Sequence, residues 1–547
     1  MKGFNHSLNN KSLLNTLINA LIPLILILTG ISFFHALGSY YLRAIDPEYA
    51  YLFNGLTLAQ FHFKLGHIDH PGTPLQAIIA FIVWIVQLFN NHQSMVENVI
   101  SNPEQYLKIT FYVVLFINSI ALYYLGRTAT KIQGTFSGLM LQLMPFTSII
   151  FVAYIERVRP VNLQFGILVF LIILCLLYIE RDLVHWRSEK FNYLFSILVA
   201  LSLSLKISSF PIILIPFILL TGKKNKLHFV LYTFLLFFVF SFPILVRHHK
   251  FFEWISNLFI HNGHYGRGES TIIDIGSIIP NFKILYKYNR FLYLTQLFSF
   301  IYILGALLLR KYLNANSGRY IQLLTGLLIS LILQTFLVVK HFALHYLIPF
   351  NMIHIFQWWI MITIVINSLN KKTKAYKLSY LLFFIILVTF QIPKIIQEQK
   401  NQLRKSDIAE KSVEFIHSQP DTLTTFIYGE GYGDPYPQVA LYFGCLWSGK
   451  YKDDYKKNLQ YKYSNTYLYD FWYKKFLFWS DPIDTASLKT DLKNSILFMG
   501  RDDEETRNFV AAKLYEIFIP DTFSLDLLYR NDQRNEAFYM IEFEKGL

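Results

Sequence analysis

Long apolar stretches alternate with short charged connections over the first 394 residues, and then the pattern stops. The stretches lie near 17–38, 75–89, 108–125, 134–153, 162–179, 192–205, 207–220, 228–246, 291–309, 321–339, 346–367 and 379–394. Many approach the roughly 20 apolar residues that a helix needs to cross a bilayer. The stretch at 75–89 is too short. At about 1.5 Å per residue it reaches about 22 Å, against a hydrocarbon core of roughly 30 Å, so it is predicted to be juxtamembrane or re-entrant. The pair 192–205 and 207–220 is also short, and Lys206 between them predicts a tight hairpin.

Charge sets the topology. With the N-terminus inside and 75–89 not crossing, the inner connections are 1–16, 126–133, 180–191, 221–227, 310–320 and 368–378. They hold seventeen Lys and Arg against three acids, Glu180, Asp182 and Glu189. That surplus of fourteen equals the formal net charge of the whole chain, +14, so the remainder is balanced. A basic excess confined to one side is a positive-inside signal and not a nucleic-acid footprint. The other eleven stretches are then predicted to cross. Residues 39–107, 154–161, 247–290 and everything from about 395 onward fall on the outer side.

The C-terminal part mixes helical and strand-like patterns. Thr424–Tyr428, followed by Gly429, Gly431 and Gly433, reads as a strand and turn, and Ile496–Gly500 as a second strand. The predicted fold is a polytopic α-helical membrane protein with a C-terminal soluble α/β domain. Its domains would be 1–394, membrane-embedded, and 395–547, extracytoplasmic. No internal repeat is evident. Composition agrees: 54% of residues are hydrophobic, more than is usual for a soluble chain. Only two cysteines occur, Cys175 in an apolar stretch and Cys445 in the polar region, which argues against a disulfide framework. No small-residue cleavage site follows 17–38, so that stretch reads as an uncleaved first span.

The first outer loop carries two acidic clusters, Asp46-Pro47-Glu48-Tyr49 and Asp69-His70-Pro71-Gly72-Thr73-Pro74. Carboxylates held beside a bilayer are expensive and seldom idle. Asp46 and Pro47 suit the cap and first position of a helix. Tyr49, Leu52, Phe53, Leu56, Ala59 and Phe63 then fall on one face, as in an amphipathic helix lying on the membrane. Thr73 and Pro74 make a second cap-plus-Pro start, whose free N–H groups would suit a lipid phosphate. A helix cap and a turn holder are the plain alternatives for Asp46 and His70. Two such clusters on one side of a polytopic chain favour a site.

One span, an acidic loop and a His-Pro motif entering a juxtamembrane helix resemble the GT-C superfamily of polyprenyl-phosphate-sugar-dependent glycosyltransferases. That superfamily includes protein O-mannosyltransferases and the aminoarabinose transferases of lipid A. The resemblance covers most of residues 15–395 in layout, and its specific residues are few. Asp46 and Glu48 take the place of the first-loop acidic pair, with Pro47 between them where the family usually has the acids adjacent. His70-Pro71 matches the His-Pro, with Gly72 where a second Pro is frequent. Gly126-Arg127 matches the small-plus-basic end of the following helix, and Leu205-Lys206 resembles the mid-chain hairpin with its Lys. Lys340-His341 and His345-Tyr346, followed by Pro349, resemble the basic-aromatic-Pro pattern that opens a late helix.

The short loop Tyr154-Ile155-Glu156-Arg157-Val158-Arg159-Pro160 breaks the positive-inside pattern locally. As a plain loop it would hold a local ion pair. On the resemblance, Glu156 takes the second acidic position, while Arg157 and Arg159 face the donor phosphate, a task that suits guanidinium. Lys206, Lys340 and His341 are read as snorkelling border residues or as further phosphate ligands. Between His261 and Glu269 the chain is rich in Gly and His. It reads as a loop that closes over substrate in preference to a metal site at His261 and His264.

The resemblance implies inverting transfer of a sugar from a polyprenyl-phosphate donor to an acceptor hydroxyl or amine. Asp46 would be the base, with Glu48 as the alternative. His70, Arg157, Arg159, Lys206, Lys340 and His341 would hold the donor phosphate, and Asp69 or Glu156 would serve the acceptor or the second acidic position. Expected partners are the lipid-linked sugar, membrane lipid, and a glycan, glycolipid or protein acceptor. No nucleic acid, metal or separate cofactor is expected. The implied location is a bacterial-type inner (plasma) membrane, with the site on its outer side. A transporter or lipid flippase is the rival. It predicts ionisable residues within spans and pseudo-symmetric halves, whereas here the charges sit in loops.

Overall fold

The computed structural model describes the chain except residues 1, 44–45, 91, 262–267, 269, 271–274, 310–314, 369–373, 421–422, 430–435, 471–472, 485–494, 519–521 and 544–547. In chain order the helices are α1 (Lys2–Leu37), α2 (Glu48–Ala59), α3 (Thr73–Phe89), α4 (Met95–Ser101), α5 (Pro103–Gln133), α6 (Thr135–Gln142), α7 (Ile149–Ala153), α8 (Pro160–Ile179), α9 (Ser188–Leu205), α10 (Leu214–Leu219) and α11 (Lys223–Phe240). They continue as α12 (Phe242–Val246), α13 (His248–Ile260), α14 (Ile275–Tyr288), α15 (Arg290–Leu308), α16 (Ala315–Lys340), α17 (Ile348–Asn351), α18 (Ile353–Ser368), α19 (Lys374–His417), α20 (Pro437–Leu446), α21 (Lys452–Lys462) and α22 (Glu504–Phe518). Two compact units result. The first comprises Met1–Phe33, Ile68–Leu75 and Phe111–Glu398, and the second Phe34–His67, Gln76–Thr110 and Gln399–Leu547.

The first unit is entirely helical among its described residues. Across the described chain, six helices are long and apolar enough to cross a membrane: Leu13–Leu37, Pro103–Gln133, Pro160–Ile179, Arg290–Leu308, Asn316–Lys340 and Leu378–His417. The remaining expected crossings are shorter or broken. Stretch 134–153 divides into α6, a 3-10 turn at Met144–Thr147 and α7, with Pro145 at the break. Stretch 207–220 opens as a 3-10 turn, Ile207–Ile213, around Pro211 before α10. Proline removes the N–H that a continuous helix needs, so such segments divide where it falls.

Hydrogen bonds between buried polar groups inside this unit help set the helix positions. Gln142 donates through Nε2 to the Asn19 carbonyl (2.7 Å), and Thr130 donates to Asn19 Oδ1 (3.0 Å). Gln164 on α8 donates to Ser202 Oγ (2.8 Å) on α9 and to Ser209 Oγ (2.6 Å) in the following turn. That one amide clamps the hairpin that carries Lys206. A buried polar group is costly unless satisfied, so each bond specifies one register.

The second unit holds a six-stranded mixed sheet of order β3-β2-β1-β4-β6-β5. Its strands are β1 (Thr424–Tyr428), β2 (Thr466–Asp470), β3 (Lys475–Leu477), β4 (Ser495–Met499), β5 (Phe523–Asn531) and β6 (Glu536–Phe543). β1 runs parallel to β2 and β4, and the other pairings are antiparallel. Both sequence-read strands are present, at the parallel centre where each side chain is buried. Val510 and Leu514 of α22 pack in one core with Phe426, Leu497 and Tyr539.

In the same unit Asp502 accepts from Arg507 Nη1 (2.8 Å), Tyr539 Oη (2.6 Å) and Arg530. Burial acts to raise its pKa, but the bonds from Tyr539, Arg507 and Arg530 outweigh this and hold the carboxyl below its usual value. A depressed carboxylate adds stability above the unfolded pKa of about 3.9 and loses it as pH falls through the lower folded value. Asp502→Ala is expected to destabilise the protein by about 1–3 kcal/mol at neutral pH. The check is the Tm of the purified full-length chain at pH 7, and an unchanged Tm refutes it.

α2 corrects the expectation of an amphipathic helix lying on the membrane. It is buried on all faces, with only Leu58 of its residues not fully covered. It packs against α20. Its polar positions are taken by C-terminal groups: Asn54 donates to the Trp447 carbonyl (2.7 Å), Thr57 to the Ser448 carbonyl (2.9 Å), and Gln60 to Tyr455 Oη (2.6 Å). Contact is close enough that a Cβ on Gly444 would lie 2.6 Å from Phe53 Cδ2. The predicted apolar face is real. The opposite face is polar because it bonds to protein, not because it meets water. The helix also begins at Glu48 with Pro47 at its cap, so Asp46 is not the cap residue as expected. Glu48 in the first turn is the acid that the free N–H groups favour.

Candidate functional site

In the first unit several side chains converge on Tyr346, in the 3-10 turn Leu344–Leu347 that follows α16. His70 Nε2 lies 3.4 Å from Tyr346 Oη, and the two rings meet edge-on at 5.5 Å. The other side of His70 meets Trp254 of α13 edge-on at 5.0 Å. Ile68, two residues earlier, is buried in a cluster with Phe237, Phe251 and Trp254, which anchors the segment. His70 itself has φ 49°, a left-handed conformation that costs a side-chain-bearing residue of order 1 kcal/mol and persists only where its surroundings dictate it.

Lys206 occupies the break between α9 and the next turn, and Nζ lies 3.6 Å from the Tyr346 ring centroid. A desolvated ammonium on an aromatic face gains about 2 kcal/mol. Burial first, and the positive charge of Arg159 second, pull its pKa well below the usual lysine value. Arg159 stacks its guanidinium over Tyr154 at 4.9 Å. Asn162 at the start of α8 shapes their turn, donating to the carbonyls of Tyr154 (2.6 Å) and Arg157 (2.6 Å). Glu156 and Arg157 are buried in that turn, so it is no solvated surface loop.

A cavity of about 110 Å³ opens beside Tyr346. Apolar side chains such as Phe210, Ile255, Phe259 and Leu337 form most of its wall, and His70, Ser208, Gln334, Lys340, His341 and Tyr346 supply its polar part. Lys340 and His341 also brace α13: Lys340 Nζ donates to the Phe259 carbonyl (2.6 Å), and His341 Nε2 lies 2.7 Å from that of Leu258. Cations suit the last carbonyls of a helix. That bond takes one of the three Lys340 protons, which leaves the ammonium capacity for an anion.

In the second unit Asp46 is half-buried and Glu48 wholly buried. Glu104, near the start of α5, accepts from the Tyr40 amide (2.8 Å) and from Tyr49 Oη (2.6 Å). Asp69 is half-buried in the first unit, next in sequence to His70. Of the proposed metal pair, His264 lies outside the described residues, and His261 Nδ1 is 3.2 Å from the Gly268 carbonyl. Among the described residues no group of three His, Cys, Asp or Glu side chains gathers as for a metal. Cys175 and Cys445 are both free and buried.

No protein-family model and no curated protein matches this chain. Among solved structures, ArnT from Cupriavidus metallidurans bound to undecaprenyl phosphate is similar at 9% identity and TM-score 0.47, covering 94% of this chain and 97% of that one. Its apo form gives 9% identity and TM-score 0.46 over the same shares. The Archaeoglobus fulgidus oligosaccharyltransferase in its apo form gives 12% identity and TM-score 0.43, covering 83% of this chain and 69% of that one. Likeness at this level establishes no family.

The fold thus gathers His70, Arg159, Lys206, Lys340 and His341 in one unit around Tyr346 and its cavity. Trp254 and Glu104 went unread in the sequence. Trp254 stands in a helix whose function no local motif marks. Glu104 follows Pro103, and that pair signals only a helix start.

Proposed function

We propose that this chain is a multi-pass membrane glycosyltransferase of the GT-C type. It moves a sugar from a polyprenyl-phosphate donor to a hydroxyl or amine of an extracytoplasmic glycolipid, polysaccharide or protein. One observation carries the reading: a largely apolar cavity in the helical unit borders His70, Lys340, His341 and Tyr346, with Lys206 packed on Tyr346 and Arg159 acting on Lys206. A lipid phosphate needs that pairing of an apolar wall for its chain with cations for its head.

The chemistry follows from the groups. A phosphate is a weak base and leaves without a strong general acid. Cations offset the charge that grows on it as the glycosidic bond breaks. A carboxylate takes the acceptor's proton, and Asp46, the more exposed of the two acids, suits that role. Displacement by the acceptor in one step inverts the anomeric carbon. The site and the sheet-bearing unit would face outward from a bacterial-type plasma membrane.

The test is transfer by purified protein in liposomes that contain polyprenyl-phosphate sugars. Product configuration is read by NMR, and surface glycans and lipids are compared by mass spectrometry with and without the gene. An inverted product supports the reading. Movement of the lipid-linked sugar between leaflets without transfer would sink it in favour of a flippase.

A further inference from the structure

Two independent anchors hold the acidic loop of the second unit. The loop leaves the turn Tyr40–Leu42 and enters α2 at Glu48. On its near side Arg43 donates to the Gln402 carbonyl (2.5 Å) and Ser406 Oγ (3.0 Å). Across its mouth stands Glu104, whose Oε2 accepts the Tyr40 amide before the loop while Oε1 accepts the Tyr49 hydroxyl after it. The Tyr41 amide is a further donor to the same carboxylate. One side chain thus ties both ends of the segment bearing Asp46 and Glu48.

We propose that Glu104 is a positioning residue for these two carboxylates, and that its negative charge also sets how readily the base among them gives up a proton. The inference rests on the glycosyltransferase reading above. Both Glu104 oxygens accept from donors, which fits the ionised form. Its place at the second residue of α5, after Pro103, puts it where free N–H groups favour an anion. The charged and titratable groups around this cluster include Arg43 and Asp46 in the loop itself, Glu48 and Tyr49 from α2, Tyr41 from the preceding turn, Glu410 from α19, and Tyr463. A negative charge at Glu104 would raise the proton affinity of a carboxyl held on the same loop.

The experiment compares wild type, Glu104→Gln and Tyr49→Phe in proteoliposomes with one polyprenyl-phosphate sugar, recording kcat, donor KM and the pH–rate profile. Glutamine keeps the shape, loses the charge and turns one acceptor into a donor facing a donor. Its expected effect is a roughly 10- to 100-fold fall in kcat with little change in donor KM, and an acid limb moved to lower pH. Tyr49→Phe keeps the charge, so it should lower kcat with the acid limb in place. Glu104→Gln with normal kcat, or with a loss matched by lost folded protein and an unmoved acid limb, overturns the inference. Wild type that transfers no sugar overturns the functional reading itself, a different result from an active wild type indifferent to Glu104.

Discussion

Asp46→Asn is expected to lower kcat by about 10²–10⁴-fold, with folded yield intact. Asparagine matches aspartate in size and still accepts a hydrogen bond, so the loop keeps its shape. What it lacks is proton affinity. Acceptor hydroxyls are poor nucleophiles until a base draws off the proton, and on the proposed reading one base carries that task. Asp46 is half-buried whereas Glu48 is fully covered in the first turn of α2, so only the former has a surface to offer an acceptor. Glu48→Gln is the paired control. Near-normal turnover by Asp46→Asn in purified protein, with loss in Glu48→Gln, would transfer the base to Glu48.

The second large effect is on donor binding. Lys206→Met is expected to reduce kcat/KM for the donor by roughly 10²–10³-fold, because a charge that meets a growing phosphate anion in a water-poor site is worth far more than one at the surface. Arg157→Ala and Arg159→Ala should weaken donor binding in the same direction. Lys206 also predicts a pH dependence. Its pKa is depressed, so the ammonium is charged below that lowered value and neutral above it. Donor affinity should therefore fall on the alkaline side at a lower pH than an ordinary lysine would give, and bound phosphate should draw the pKa back up. In Lys206→Arg that fall should vanish, since guanidinium stays charged. Isothermal binding of a polyprenyl phosphate across pH checks both points. Unchanged affinity in Lys206→Met removes the residue from the site.

How much of this was legible beforehand varies by residue. His70 stood out as part of a His-Pro motif beside an acid in the first outer loop, and the fold places it against Tyr346. Lys206 stood out as one cation between two apolar runs. What it touches was hidden, because the Tyr346 ring under its ammonium comes from 140 residues later in the chain. Tyr346 was visible only as part of a basic-aromatic-Pro pattern. Glu104 could not be read at all: its partners Tyr40 and Tyr49 lie 64 and 55 residues away. α2 was read with the right face and the wrong surroundings, since Asn54, Thr57 and Gln60 look alike whether they meet water or the C-terminal backbone.

Local order along the chain determined the apolar helices, the central strands of the sheet and the motifs worth watching, because periodicity and turn chemistry act over a few residues. Tertiary structure alone decided which helices stay whole and which break at a proline. It also decided that the first acidic loop is built into the C-terminal unit, and which aromatic ring receives the buried lysine. Those outcomes depend on contacts between distant segments, where burial and hydrogen-bond satisfaction outweigh the short-range preferences that a linear pattern records.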